Sequence, residues 1–322
     1  MSSGSGEAEE KVSRAGVGFA LISALSFSTL GIFAISLYAK GFSVPQTLAW
    51  RFTCAALFLW STIGIRKLLG FRGNGGKSEV SPAAISRRSM VALLVLALVG
   101  FTPQAGLYFI TVRMLAPGIT SLLLYLYPGF VLILSAFFLG KKPTKGQLAA
   151  LVMSLLGCLL TFYKPGAYPL LGLMLGVFVA AAYGIYLVVA ENILACFDPL
   201  FSTAVIMTVA GTVYWALLIG SGMPLKAPSS AGDWLLVAGI AFLATVLPIT
   251  MLFSAMNRIG AANTSLISTV EPVSTVLLSV LFLGEELTPG RVLGGFLIIG
   301  GVVVLRLFSR PGPKPHMESN RD

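Results

Sequence analysis

The chain has 322 residues, of which 56% are hydrophobic and 11% charged, with a formal net charge of +10. A water-soluble domain carries about 25% charged residues, so a chain this apolar has too few charges to cover a soluble core and reads as an integral membrane protein. The single histidine, His316, lies in the polar C-terminal tail, and Cys54, Cys158 and Cys196 show no paired spacing, so no metal site, cofactor or disulfide framework is expected.

A membrane-spanning helix needs about 20 apolar residues. Ten segments meet that length in chain order: Ala15–Ala39, Val44–Ile65, Ser89–Val112, Ala116–Leu139, Gly146–Phe162, Pro169–Ala190, Pro199–Ile219, Trp234–Met256, Ala261–Leu283 and Gly290–Leu307. They are continuous apolar runs without period-two alternation, which predicts α-helices rather than barrel strands. Residues 1–14 are expected as a disordered N-terminal tail without the basic start of a signal peptide, and 309–322 as a disordered basic tail.

The connecting loops set an orientation. With the N-terminus in the cytoplasm, only Lys40, Arg51, Arg113, Lys164, Lys226 and Arg291 of the 22 Lys and Arg residues fall outside. The positive-inside rule therefore predicts cytoplasmic termini. The basic surplus is accounted for by topology and calls for no nucleic acid.

The chain also repeats. A shift of 144 residues lays Ala116–Gly157 on Gly260–Gly301 without a gap, matching Thr120 to Thr264, Ser121 to Ser265, Pro128 to Pro272, Gly140 to Gly284 and Gly157 to Gly301 among others. The halves are 15–163 and 169–308, of five helices each. Because five is odd, the second half must run opposite to the first. Inverted repeats of this kind build alternating-access transporters.

Within this frame the candidate residues are few. Glu271 sits near the middle of the ninth segment, where an ionisable group is costly and by default functional; the bland alternative is a structural acid that ties two helices. Thr264, Ser268, Glu271, Thr275 and Ser279 have the spacing of one helical face. Pro128 and Pro272 match across the halves, and Pro103 and Pro248 nearly match, so all four are expected to break their helices around a site. Tyr127 is the repeat partner of Glu271. Tyr108, Tyr125, Tyr127, Tyr183 and Tyr186, with Ser26, Phe27 and Ser268, are expected to wall a central cavity with Glu271, since a buried tyrosine needs a partner for its hydroxyl. Helix packing is the competing role for each. Arg51 is close enough to the outer surface to snorkel; the alternative is a substrate carboxylate or an acid partner. Trp50, Trp60, Trp215 and Trp234 lie towards helix ends and are expected as interface anchors. Gly172 and Gly176 predict close helix packing.

The stretches "LAWRF", "GITSLLLYLYPGFVLILSAFFLGKKPTKGQ" and "ANTSLISTVEPVSTVLLSVLFLGEELTPGR" resemble the EamA-type drug/metabolite transporters. The most specific part is Pro272, Gly284, Glu285, Leu287 and Thr288; the first half departs from it with Lys141 and Lys142. The resemblance implies a ten-helix basket, with helices 1, 3, 4, 6, 8 and 9 lining a central cavity and both termini cytoplasmic. It further implies export of amino acids or related metabolites across the cytoplasmic membrane, and it does not name a substrate. A passive channel is the alternative function, and the chain lacks the nucleophile–base motifs of an enzyme. The expected partners are a small-molecule substrate and the bilayer, with the protein a monomer or homodimer.

Overall fold

The computed structural model describes residues 3–69, 86–115, 117–163, 168–283 and 286–308, and among these there is no β-strand. The elements are α1 (Ser3–Phe27), α2 (Leu30–Ala39), α3 (Val44–Leu68), α4 (Arg87–Val95), α5 (Thr102–Met114), α6 (Pro117–Leu124), α7 (Tyr127–Phe138), α8 (Lys145–Phe162), α9 (Leu170–Leu194), α10 (Pro199–Gly220), α11 (Ala231–Ala241), α12 (Leu247–Ser268), α13 (Glu271–Leu283) and α14 (Pro289–Phe308). Among the described residues nine helical stretches are long and apolar enough to cross a membrane, and Glu271–Phe282 is a shorter apolar helix. One stretch, Ala231–Ser268, has 38 residues, about 57 Å at 1.5 Å per residue against a hydrocarbon core of about 30 Å. It is not straight: Gly260 has φ 80° and ψ 165°, a backbone that glycine adopts without steric cost. This glycine separates the eighth and ninth expected segments.

Where the surface is apolar decides the environment. Phe137, Phe282 and Phe296 are 85%, 70% and 69% exposed, which suits lipid and not water. The interior holds the hydroxyls of Ser23, Thr111, Ser154 and Thr203 beside its aliphatic core. Helices close on one another through small residues: Gly157 of α8 lies directly on the Gly294 backbone of α14, Gly172 on Leu115 and Gly176 on Leu123.

The N-terminus differs from expectation. α1 begins at Ser3, inside the segment read as a disordered tail. Glu7–Lys11 are good helix formers, and they extend the first membrane helix outward. The C-terminal tail, the loop at 70–85, and Gly284 and Glu285 of the family-like motif lie outside the described residues. The tryptophans also do more than mark an interface. Trp50 packs edge-on against Trp215 and Trp234, with centroids 5.2 and 5.5 Å away. Its Nε1 donates to the Lys226 carbonyl at 2.9 Å, and Trp215 Nε1 donates to Thr53 Oγ1 at 2.8 Å. The cluster joins α3, α10 and α11.

Candidate functional site

The site begins with the backbone. Proline has no N–H and clashes with the carbonyl one turn back, so Pro128 orphans the Leu124 carbonyl and Pro272 orphans that of Ser268. α6 ends at Leu124 and α12 ends at Ser268. After each end come two turn residues, Tyr125–Leu126 and Thr269–Val270, before α7 and α13 start. The hydrogen bonds across the two breaks correspond. Leu126 donates to Leu123 at 3.1 Å where Val270 donates to Ile267 at 3.1 Å, and Gly129 donates to Leu126 at 3.0 Å where Val273 donates to Val270 at 3.1 Å.

The breaks meet in the middle of the bundle. Tyr127 and Glu271 are the first residues of α7 and α13, and a helix N-terminus favours an acidic group. Glu271 is half-buried, and the Tyr125 side chain faces its carboxyl. The Tyr127 hydroxyl donates to the Ser265 carbonyl at 3.3 Å, crossing from the first half to the second, and Ser268 faces Tyr127. Ser154 and Thr269 share a hydroxyl–hydroxyl bond of 3.0 Å.

A run of rings continues from there. Tyr127 lies 4.8 Å from Tyr183, which stacks on Tyr186 at 6.0 Å and 11°. Tyr186 lies 6.0 Å from Phe101, and Phe101 5.6 Å from Phe52. The Tyr186 hydroxyl is buried and lacks a partner among the described residues. Tyr108 lies within electrostatic reach of Glu271 and near Ser121. The structure thus brings together Tyr108, Tyr125, Tyr127, Tyr183, Tyr186, Ser268 and Glu271. Ser26 and Phe27 are half-buried at a further break, Ser28–Thr29, and Phe27 packs on the same core as the tyrosines without a ring contact to them. That break needs no proline: Ser28 and Thr29 hydroxyls donate to the Leu25 and Ser26 carbonyls at 2.6 and 2.7 Å, competing with the helical ladder.

Other expectations are corrected. Pro103 and Pro248 do not break their helices. Each sits in the first turn of an α segment that follows a π-helical stretch, Leu96–Phe101 or Phe242–Val246. The chain passes each proline without a break, and Thr102 and Thr245 hydroxyls donate to carbonyls five residues back at 2.8 and 2.7 Å. Pro248 is buried, whereas Pro103 is exposed. The polar stripe from Thr264 to Thr275 is not one face, because the break at Thr269–Val270 divides it. Thr264 and Thr275 hydroxyls turn back to the Gly260 and Glu271 carbonyls at 2.7 and 3.0 Å; the Ser279 side chain lies outside the described residues. Arg51 does not snorkel. It is 4% exposed, with Nε donating to Thr245 Oγ1 at 2.6 Å and Nη2 to the Ala244 carbonyl at 3.2 Å. An apolar surface pocket lined by Leu159, Leu160 and Tyr163 lies apart from this cluster.

At one end of the bundle the halves are tied by polar contacts. Lys141 pairs with Glu191, whose other oxygen accepts from the Ala261 N–H at 3.0 Å. Gln147 donates to Asn263 at 2.9 Å.

Comparison with known proteins places this geometry. The description "EamA-like transporter family" matches the chain twice, over residues 14–163 and 170–307. The chain belongs to the EamA-like transporter family. It is 24% identical over 297 residues to the "Uncharacterized transporter YyaM" of Bacillus subtilis (strain 168), covering 88% of this chain and 92% of that protein. It is 26% identical over 239 residues to the "Uncharacterized inner membrane transporter YicL" of Salmonella typhimurium, covering 70% and 76%. A solved structure titled "Crystal structure of protein" matches with a TM-score of 0.75 at 20% identity, over 91% of this chain and 97% of that one; this likeness concerns the fold. The EamA-like chain is therefore a multi-pass membrane transporter, and the all-helical, inverted-repeat class expected from its sequence is the class of its family.

Proposed function

We propose that the protein is a secondary transporter that moves small metabolites across the cytoplasmic membrane by alternating access, in the export direction. Its substrates are amino acids or related zwitterions with an apolar or aromatic part. The observation that carries this reading is the meeting of the two matched breaks: Glu271 at one and Tyr125 and Tyr127 at the other, with Tyr183 and Tyr186 beside them. Broken helices at corresponding places of two halves supply orphan carbonyls and helix ends to a ligand. The rings offer contact area, and the polar groups fix orientation.

Glu271 is the group that attracts an ammonium or exchanges a proton as the site opens to either side. The Ser268 carbonyl, freed by Pro272, is the acceptor beside it. The Lys141–Glu191 pair and the Gln147–Asn263 bond are the contacts that part when the terminal-side end opens. The termini face the cytoplasm in this reading, as the distribution of basic loops requires.

The test is flux in liposomes holding the purified chain. Counterflow of external labelled amino acid driven by internal unlabelled amino acid is the expected result. Open-pore conductance without counterflow would replace the carrier by a channel.

A further inference from the structure

Arg51 is buried in the bundle with more hydrogen-bonding capacity than its neighbours use. A guanidinium has five N–H donors and stays charged. Here Nε and Nη2 have acceptors, Thr245 Oγ1 and the Ala244 carbonyl, and both are neutral. Pro248 explains the second: with no N–H at position 248, the Ala244 carbonyl lacks its helical donor, and Arg51 supplies one. Nη1 has no hydrogen-bond partner among the described residues, although the residue is only 4% exposed. Glu191 pairs with Lys141, Asp233 lies 3.7 Å from Lys40, and Asp198 caps the first turn of α10. No described carboxylate lies within ion-pair distance of Arg51. An uncompensated buried charge is expensive, and holding one carbonyl does not require a charge.

Its position relative to the other polar centre is specific. The Phe52 ring lies 5.1 Å from the guanidinium carbon. From Phe52 the rings run through Phe101, Tyr186 and Tyr183 to Tyr127, where Glu271 sits across the matched break. Tyr108 lies within electrostatic reach of both Arg51 and Glu271. A cation and a carboxyl thus stand at the two ends of one aromatic wall.

We propose that Arg51 is the anion-binding group of the central site and takes the carboxylate of the substrate on its Nη1 edge. The apolar part of the substrate lies along the ring wall that begins at Phe52. Guanidinium–carboxylate pairs are directional and charge-assisted, so the assignment makes a carboxylate obligatory for tight binding and an ammonium secondary. This rests on the reading of the cluster as a substrate site.

The test measures thermal stabilisation of the purified full chain by L-phenylalanine, L-tryptophan and L-leucine, each beside its amide and its decarboxylated amine. At least one acid is expected to raise the melting midpoint while its amide and amine do not. Arg51→Gln should lose that difference. Arg51→Lys, which keeps a charge, should keep the preference for the acid with affinity reduced about tenfold. Should Arg51→Gln not fold, the wild-type comparison and Arg51→Lys still decide. Equal stabilisation by acids and amides, no stabilisation by any acid, or a preference for the acid that survives Arg51→Gln would each overturn the proposal. Counterflow of the same compounds separates this from the transporter reading. Acid-dependent stabilisation without counterflow keeps the anion site and removes the carrier. Counterflow that treats acids and amides alike keeps the carrier and removes the anion site.

Discussion

The breaks at Tyr125–Leu126 and Thr269–Val270 share a backbone and differ in the side chains they carry. Each ends its helix four residues before a proline, and each carries the same three-residue-back hydrogen bonds. Yet Tyr127 occupies the place of Glu271, and Tyr125 the place of Thr269. Proline position fixes where a helix stops, because the lost donor and the steric clash act whatever the neighbours are. Side-chain identity is then free to diverge between the halves. The result is an asymmetric site on a symmetric scaffold, with an acid from one half and phenols from the other.

That comparison can be broken from the side-chain direction first. Glu271→Gln keeps the shape and removes the ionisable group; counterflow should fall by about 100-fold or more, the size of a lost charged contact of roughly 3 kcal/mol. The matched change Tyr127→Phe removes one neutral bond, to the Ser265 carbonyl, and should cost about fivefold, near 1 kcal/mol. Comparable losses in the two variants would mean that the halves contribute alike.

The backbone supplies the next test. Pro128→Ala and Pro272→Ala restore a donor and let the helix continue through the break. Transport should fall about tenfold in each, with normal insertion in the membrane, because a displacement of reacting or binding groups by about an ångström is costly at this scale. The two effects should match each other even though the side chains beside them do not. A large effect in one half alone would separate the breaks.

Tyr183→Ala and Phe27→Ala sharpen the extent of the wall. Tyr183 bridges Tyr127 and Tyr186, so its truncation should weaken uptake about tenfold, near 1.4 kcal/mol, at unchanged expression. Phe27 has no ring contact with them and should cost less. Unchanged transport in both would assign these rings to packing. The smallest effect belongs to stability. Gly260→Ala places a Cβ at φ 80° and 3.2 Å from Glu191 Oε1, with a cost of about 1–2 kcal/mol. In a chain of this size the melting midpoint should drop by about 2–4 °C, readable by thermal shift; no drop would mean that the kink relaxes.

Much of this was legible in the sequence. The apolar lengths located the membrane segments, and the ungapped shift of 144 residues exposed the matched prolines and hence the matched breaks. The tyrosines of α7 and α9 could be grouped with Glu271 because mid-membrane polar groups seek partners. Other features were hidden for physical reasons. Hydroxyls make the break at Ser28–Thr29, and Ser and Thr in membrane helices more often bond back without breaking them. A proline one register off, as at Pro103 and Pro248, permits either a kink or a π turn, and Thr102 and Thr245 tip the balance through local bonds. Arg51 sits near a helix end, where length alone allows snorkelling; its burial depends on Thr245 and Ala244, almost 200 residues away in sequence.

The central claim is that Glu271 is the exchangeable group of a substrate site formed where the two breaks meet. It is tested most directly by counterflow and gradient-driven uptake in liposomes holding wild-type or Glu271→Gln protein, with a proton gradient imposed in either direction. The account predicts wild-type transport that responds to the gradient, and a correctly inserted Glu271→Gln protein whose residual transport does not respond. Full, gradient-responsive transport by Glu271→Gln would contradict it and make Glu271 a structural acid holding Tyr125.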